Sequence, residues 1–241
     1  DGWQYAWKPK SRLFLDVSTL VHTDAKTGVQ RVVRSLLQNL TKAPPKDIAV
    51  CPIWFDGTEY RHASRLASRM FSGIDSETAE TAVKFEAHDC YLALDLNLDM
   101  QPSMEPLQLR ARALGVRMWF VVYDLLPLHH PDWWADGMSD KFSAWFESSA
   151  RVADGFACIS EATANDVHVA LADSEACERR IPTVRSFHIG ADIADSLPST
   201  GLPGNSSEVL AQLRKQPSFL MVGTIEPRKG HSQALAAFEQ L

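Results

Sequence analysis

Phe219-Leu-Met-Val-Gly-Thr-Ile-Glu-Pro-Arg-Lys-Gly-His231 reads as a buried strand that runs into a phosphate-binding turn. The apolar run at 219–222 is followed by Gly223 and Thr224, then by Pro227 and the cations Arg228 and Lys229. From 232 onward Leu235, Ala236, Phe238 and Leu241 recur at helical spacing. Strand, glycine turn, cations and helix start, in that order, supply what a diphosphate needs: close backbone approach, free N–H groups and positive charge. A single βα unit cannot bury its own strand. The stretch therefore predicts a second α/β domain that begins near Ser218 and continues past Leu241.

Working back toward the start, strands and helices alternate. Residues 12–17 form a short apolar strand, and residues 29–40 place Val32, Val33, Leu36, Leu37 and Leu40 on one helical face. Residues 48–55 and 90–96 read as further strands, with a polar stretch at 60–86 that matches neither period. A helix over 107–114 capped by Gly115 leads into an apolar strand over 116–123. Helical spacing returns around Phe142, Trp145 and Phe146, a strand follows at 155–159, Ser160 to Thr163 open a helix to Leu171, and residues 183–189 close the series. This order predicts an α/β fold: a Rossmann-like parallel sheet with helices on both faces over 11–195, a Ser/Pro/Gly-rich linker over 196–217, and the first βα unit of a truncated second Rossmann-like domain over 218–241. Ligands of such sheets gather at the carboxyl ends of the strands.

Composition narrows the function classes. The chain has 241 residues, 45% hydrophobic and 22% charged, which suits a folded soluble domain rather than a disordered one. Its 24 basic and 30 acidic residues give −6, with no dense Lys/Arg block, so nucleic acid is not the expected ligand. Cys51, Cys90, Cys158 and Cys177 lack C-x-x-C spacing and read as reduced core thiols of a cytosolic protein. No apolar run reaches the ~18 residues of a membrane span, and no signal peptide precedes the first strand.

Four segments follow strands and so share one rim. In the first, His22 and Asp24 precede Thr27-Gly-Val-Gln-Arg31; Gly28 can let a ligand oxygen reach the backbone, and Gln30 or Arg31 can donate to hydroxyl or phosphate. A capped helix with a solvated Arg fits equally well. In the second, Tyr123 and Asp124 end a strand, Asp124 being placed to accept hydroxyl hydrogen bonds, and Pro127, His129, His130, Asp132, Trp133 and Trp134 follow. Adjacent histidines point apart, so no metal is expected there. The tryptophans suit sugar stacking, a membrane interface or burial against a helix. The third, Ser160-Glu-Ala-Thr163, is a helix-cap pattern. The fourth, His188-Ile-Gly-Ala-Asp192, sets a histidine beside a tight turn, as a ligand contact or as a rim residue. No G-x-S-x-G elbow, Walker A loop or G-x-G-x-x-G fingerprint occurs.

Taken together, Leu15-Asp-Val-Ser18, Thr27-Gly-Val-Gln-Arg31, Val122-Tyr-Asp-Leu-Leu-Pro127, Ile159-Ser-Glu-Ala-Thr163, Gly190-Ala-Asp192 and Val222-Gly-Thr-Ile-Glu-Pro-Arg-Lys-Gly230 resemble the GT-B glycosyltransferases of retaining family 4. The resemblance is to bacterial mannosyltransferase-like enzymes that build O-antigen and other surface polysaccharides, and it spans nearly the whole chain. It implies two Rossmann-like domains facing across a cleft, with the acceptor held mainly by the first and a nucleotide sugar by the second. By that resemblance Gly28, Gln30 and Arg31 form the glycine loop facing the donor phosphates, with Gly223, Thr224, Arg228 and Lys229 as the diphosphate site. Tyr123 stands where relatives carry a sugar-contacting histidine, Asp124 is retained beside it as a catalytic-site residue, and His22, Asp24 and His188 are acceptor-side candidates. Thr224 replaces an arginine of many relatives, which shifts cationic work to Arg228.

The implied reaction is transfer of a hexose, with mannose from GDP-mannose as the expected donor, onto a lipid-linked or growing polysaccharide. It proceeds with retention of configuration and without a metal or other cofactor. The acidic donor motif falls beyond Leu241, so the 241 residues alone are expected to be inactive. The expected location is the cytoplasm, with peripheral contact at the inner face of the membrane or with a polysaccharide-synthesis complex; Trp3, Trp7, Trp133 and Trp134 supply interfacial side chains. The competing reading is a non-catalytic glycosyltransferase-like module that binds glycan or acts as a scaffold.

Overall fold

The computed structural model describes residues 11–73, 79–174, 176, 180–190 and 202–240. Trp3, Trp7, Cys177, Ala191, Asp192, Leu241 and the start of the expected linker lie outside them. Seven strands form one sheet: β1 (Ser11–Asp16), β2 (Ile48–Phe55), β3 (Tyr60–His62), β4 (Cys90–Ala93), β5 (Arg117–Val122), β6 (Gly155–Cys158) and β7 (Thr183–Ser186). Their order is β3-β2-β1-β4-β5-β6-β7. All neighbours are parallel except β3, which pairs antiparallel with β2 at the edge. Strand order reverses between β1 and β4, giving the Rossmann-like switch point.

The period-2 alternation of the strands sorts side chains into two cores. On one face Leu15, Val17, Val121 and Tyr123 meet Val33 and Leu37 of α2 (Gly28–Lys42) and Leu66 of α3 (Ser64–Ser72). The short α1 (Ser18–His22) adds Leu20 to that face. On the other, Phe14, Tyr91, Phe120 and Phe156 meet Met104 and Ala111 of α4 (Gln101–Ala113), Phe142, Trp145 and Phe146 of α6 (Met138–Val152), and Val167 and Leu171 of α7 (Glu161–Ala172). Between these runs α5 (Leu126–His129), a single turn. Phe142, Trp145, Phe146, Ser149 and Val152 follow the i, i+3, i+4, i+7 rule. Burying each large ring stabilises by about 2–3 kcal/mol.

Helix starts are set locally. The Thr27 side chain accepts the Gln30 N–H at 3.2 Å, and that of Ser160 accepts the Thr163 N–H at 3.1 Å. Gly155 opens β6 because a Cβ there would lie 2.6 Å from the Trp119 ring and 2.8 Å from the Thr183 carbonyl oxygen. Cys51, Cys90 and Cys158 are free thiols, and burial pushes that of Cys158 up to about 12.

Four features differ from the sequence reading. The polar stretch at 60–86 holds both β3 and α3. Helix α4 starts at Gln101, six residues before its apolar periodicity, because Pro102 sits in its first turn, where the missing N–H has no partner to lose. The expected strand at 219–222 does not form: Phe219, Leu220 and Val222 are 79%, 89% and 84% exposed, and no described strand pairs with them. A parallel strand draws its stability from neighbours on its edges. Its turn and following helix α9 (His231–Phe238) do form, and Phe219 packs edge-on to Phe238 with ring centroids 4.9 Å apart. The span read as linker carries a helix of its own, α8 (Ser206–Leu213).

Candidate functional site

The connections leaving β1 and β4 run to opposite faces of the sheet, toward α2 and α4 respectively, which opens a crevice above the carboxyl ends of these strands. Its floor is a buried polar network. Asp16, the last residue of β1, is fully buried and accepts from the Ser18 N–H (2.9 Å), the Ser18 hydroxyl (2.5 Å), Asn97 Nδ2 (3.2 Å) and the Tyr91 hydroxyl. Burial pushes its pKa up, and the donors from Ser18, Tyr91 and Asn97 oppose that. Behind Tyr91, Gln108 Nε2 donates to both the Tyr60 and Tyr91 hydroxyls, at 3.0 and 3.2 Å, and its oxygen accepts from Gln101 at 2.7 Å. This chain of bonds ties α4 to the strand ends.

The same network anchors the loop that carries the first motif. The Ser18 hydroxyl accepts the Phe55 N–H (2.8 Å), the Thr19 hydroxyl donates to Asn97 Oδ1 (2.8 Å), and His22 Nε2 lies 2.8 Å from the Phe55 carbonyl oxygen. A carbonyl can only accept, so His22 carries a proton on Nε2, and Nδ1 has no hydrogen-bond partner among the described residues. Asp95, just past β4, is 3% exposed; its Oδ1 accepts the Leu96 N–H at 2.9 Å, and its Oδ2 has no hydrogen-bond partner among the described residues. Burial first, with the Asp16 charge adding, raises its pKa to about 6.

The predicted residues separate into those facing the crevice and those serving the fold. Asp24 is paired with Arg34 at 2.6 Å, which holds its carboxyl below the usual range. Gly28 is exposed, and a Cβ built on it would meet nothing within 4 Å. Gln30 is buried and turned back into its own loop, its Nε2 donating to the Thr23 carbonyl at 2.5 Å. Arg31 is exposed and has no side-chain partner among the described residues, so it is a free cation beside Gly28. Tyr123 is a core residue: it is 5% exposed, its hydroxyl donates to the Leu94 carbonyl at 2.7 Å, and burial drives its pKa far above the ordinary phenol value. Its ring therefore presents no free hydroxyl to a ligand. Asp124 accepts the Leu126 N–H at 3.1 Å through one oxygen, and the other has no partner among the described residues.

His188 is exposed just past β7, four strands from β1 and so about 19 Å away along the sheet. It does not join His22. His129, His130 and Asp132 form no metal cluster; among the described residues no three His, Cys, Asp or Glu side chains come together. Trp133 instead stacks on His130 at 3.9 Å.

The C-terminal turn keeps the geometry its sequence suggests even without its strand. Gly223 has φ +155, a backbone conformation that L side chains rarely adopt, and a Cβ built there would meet the Lys229 stem at an ordinary contact distance of 3.5 Å, so it is the turn and not the lysine that calls for glycine. Glu226 accepts from the Thr224 hydroxyl and from Arg228 Nε, both at 2.6 Å. The Arg228 guanidinium also lies over the Trp134 ring at 4.9 Å, joining this turn to the loop after β5. Arg228 is thus engaged twice, whereas the Lys229 ammonium has no protein partner among the described residues.

The residues that sequence reading missed are Asp95, Asn97 and the buried Tyr91–Gln108 pair. Asp95 and Asn97 were signalled only as polar side chains at the end of an apolar run, and Tyr91 within β4 and Gln108 within α4 carried no such signal. No helix among the described residues is long and apolar enough to cross a membrane.

No family model matches the chain. Among curated proteins it is similar to serotype-specific mannosyltransferases WbdA of Escherichia coli, 41% identical to one over 233 residues and 40% identical to two others over the same length. Each match covers 95% of this chain and 28% of the relative. Over nearly its whole length, the chain is similar to a segment of bacterial mannosyltransferases, and it spans little more than a quarter of the length of these curated relatives.

Proposed function

We propose that the chain is the acceptor-side domain, with the start of the donor domain, of a retaining GT-B mannosyltransferase that uses GDP-mannose to extend a surface polysaccharide such as O-antigen. The observation that carries this reading is the 41% identity over 95% of the chain to proteins named mannosyltransferases. The Rossmann-like crevice and the free cations Arg31 and Lys229 suit it. In this reading Lys229 lies on the donor diphosphate, where a fixed cation stabilises the charge that grows on the leaving nucleotide. An acceptor hydroxyl attacks the sugar from the face the diphosphate leaves, and no metal or protein nucleophile is called on. Asp124, with one free carboxylate oxygen, is placed to accept a sugar hydroxyl. A lipid-linked acceptor would bring the domain to the inner face of the cytoplasmic membrane. Trp133 and Trp134 are already engaged by His130 and Arg228 and are not free interfacial anchors.

The internal bond of Tyr123 favours a second reading, a non-catalytic glycan-binding module, because it removes the expected sugar contact. One experiment separates the two. The full-length polypeptide containing this chain is incubated with a panel of nucleotide sugars, with and without glycan acceptor, and nucleotide diphosphate release is followed. Acceptor-dependent GDP release from GDP-mannose, reduced about 100-fold in Lys229→Ala, is the expected result. Silence across the panel with glycan binding intact would overturn it in favour of the module.

A further inference from the structure

The carboxyl rim carries a second concavity beside the switch-point crevice, a pocket of about 280 Å³. Three segments build it, each following one of three neighbouring strands: His22 at the end of α1, residues 55–57 after β2, and residues 99–103 at the start of α4. Phe55 and Met100 give it apolar wall, and His22, Asp56, Asp99 and Ser103 give it polar atoms.

The state of those atoms fixes the ligand chemistry. Asp56 is held ionised, its carboxyl drawn far down by the Thr58 and Glu59 N–H groups, the Thr58 hydroxyl and Arg61. Its charge is matched by Arg61, and it has little spare bonding capacity. Asp99 Oδ1 pairs with Lys141 at 2.6 Å, which leaves Oδ2 to accept from a ligand. His22 offers Nδ1 as an acceptor, because Nε2–H is bound to the Phe55 carbonyl and the ring is braced edge-on by Trp54 at 5.3 Å. Ser103 is exposed, and its hydroxyl has no partner among the described residues. Each lining carboxylate is already matched by a cation outside the lining, Asp56 by Arg61 and Asp99 by Lys141, so no free cation faces the pocket to draw a phosphate. Acceptors set around an apolar wall suit a neutral ring that carries several hydroxyl donors on one side and C–H groups on the other. The volume lies just under the ~300 Å³ at which small-molecule sites begin, room for about one sugar ring.

We propose that this pocket binds one neutral hexose unit of a glycan, and that in the mannosyltransferase reading, on which this last step rests, the unit belongs to the acceptor and not to the donor. The glycan probe is mannotriose, added to the 241-residue chain while the Met100 methyl and His22 ring NMR signals are followed, with GDP-mannose and GDP as separate arms. Mannotriose is expected to shift both signals, and neither nucleotide is expected to do so. Ser103→Trp, on an exposed helical position where a large ring fills the pocket without entering the core, is expected to weaken mannotriose binding about tenfold. Asp99→Asn serves as a second variant with little demand on folding, and circular dichroism checks both.

In the full-length enzyme Ser103→Trp should raise the acceptor KM and leave the donor KM unchanged. Signals that do not move with mannotriose, that move with GDP, or binding indifferent to Ser103→Trp would each overturn the proposal. Transfer with an unaltered acceptor KM in that variant would remove the pocket and leave the enzyme. Mannotriose binding without any transfer would remove the enzyme and leave the pocket as a glycan site.

Discussion

Replacing Asp95 by Asn should stabilise this protein at neutral pH and leave its stability nearly unchanged in acid. Asp95 is 3% exposed, and among the described residues its Oδ2 has no hydrogen-bond partner. Its Oδ1 accepts the neighbouring Leu96 N–H at 2.9 Å, and the Leu20 backbone N–H adds a weaker contact, neither of which offsets the burial. Burial, helped by the Asp16 charge, moves its pKa from the ordinary 3.8 to about 6. The folded state therefore holds a proton that the unfolded chain has released between these two values. Below about pH 4 both states are protonated and the carboxyl costs nothing. The penalty grows as pH rises through that window and is complete above about 6. At about 1.36 kcal/mol per pH unit, a displacement of about two units makes the ionised carboxylate cost about 3 kcal/mol at pH 7.5.

Asn keeps the shape and the acceptor for Leu96 and carries no charge to bury. Urea unfolding of the 241-residue chain at pH 7.5 and pH 4.0 measures the difference directly, with Asp16→Asn as a contrast. Asp16→Asn removes an acceptor bonded by Ser18, Tyr91 and Asn97 and should destabilise at neutral pH. The expected gain for Asp95→Asn is up to about 3 kcal/mol at pH 7.5 and near zero at pH 4.0. An equal change at both values, or a loss at pH 7.5, would refute the argument, since it would mean that Asp95 is not held as an unpaired buried acid.

Other perturbations test the frame of the site. Gly155→Ala would press a methyl group to 2.6 Å from the Trp119 ring at the start of β6, and should cost about 2 kcal/mol or more by denaturant unfolding. Arg12→Met removes the guanidinium that bonds both oxygens of the buried Asp89, at 3.0 and 2.7 Å; because Arg12 is partly solvated, a loss of about 2 kcal/mol is expected, below the range of a fully buried pair. Ser160→Ala deletes the cap that accepts the Thr163 N–H, and should lower stability by about 1 kcal/mol in the same assay while leaving glycan binding unchanged.

The parallel sheet and its helices were legible because burial on two faces leaves periodic traces. Strands such as Arg117–Val122 are continuous apolar runs, and α6 repeats its aromatics at helical spacing. What was not legible depends on pairing. β3 is three residues long with one buried side chain, too short for a period. The apolar run at 219–222 has strand composition, but composition does not supply the neighbouring strands that strand structure requires.

The site was legible in location and not in role, and the reason is physical. A polar residue at a strand end signals the rim of the sheet, but whether it faces a ligand depends on which donor or acceptor reaches it first. Tyr123 stands where the resemblance sets a sugar contact, and the Leu94 carbonyl takes its hydroxyl. Asp24 and Gln30 are likewise taken by Arg34 and by the Thr23 carbonyl. Groups left with free capacity are a smaller set: the second oxygens of Asp124 and Asp99, His22 Nδ1, Arg31 and Lys229. The two cations lie next to glycines, where backbone can approach an anion, and the acceptors near Asp99 and His22 line a pocket without a cation. In the proposed reading, phosphate chemistry falls to the two cations and hydroxyl chemistry to these acceptors. That division is what a transferase with an anionic donor and a neutral acceptor requires, and a module that only binds glycan would have no use for Lys229.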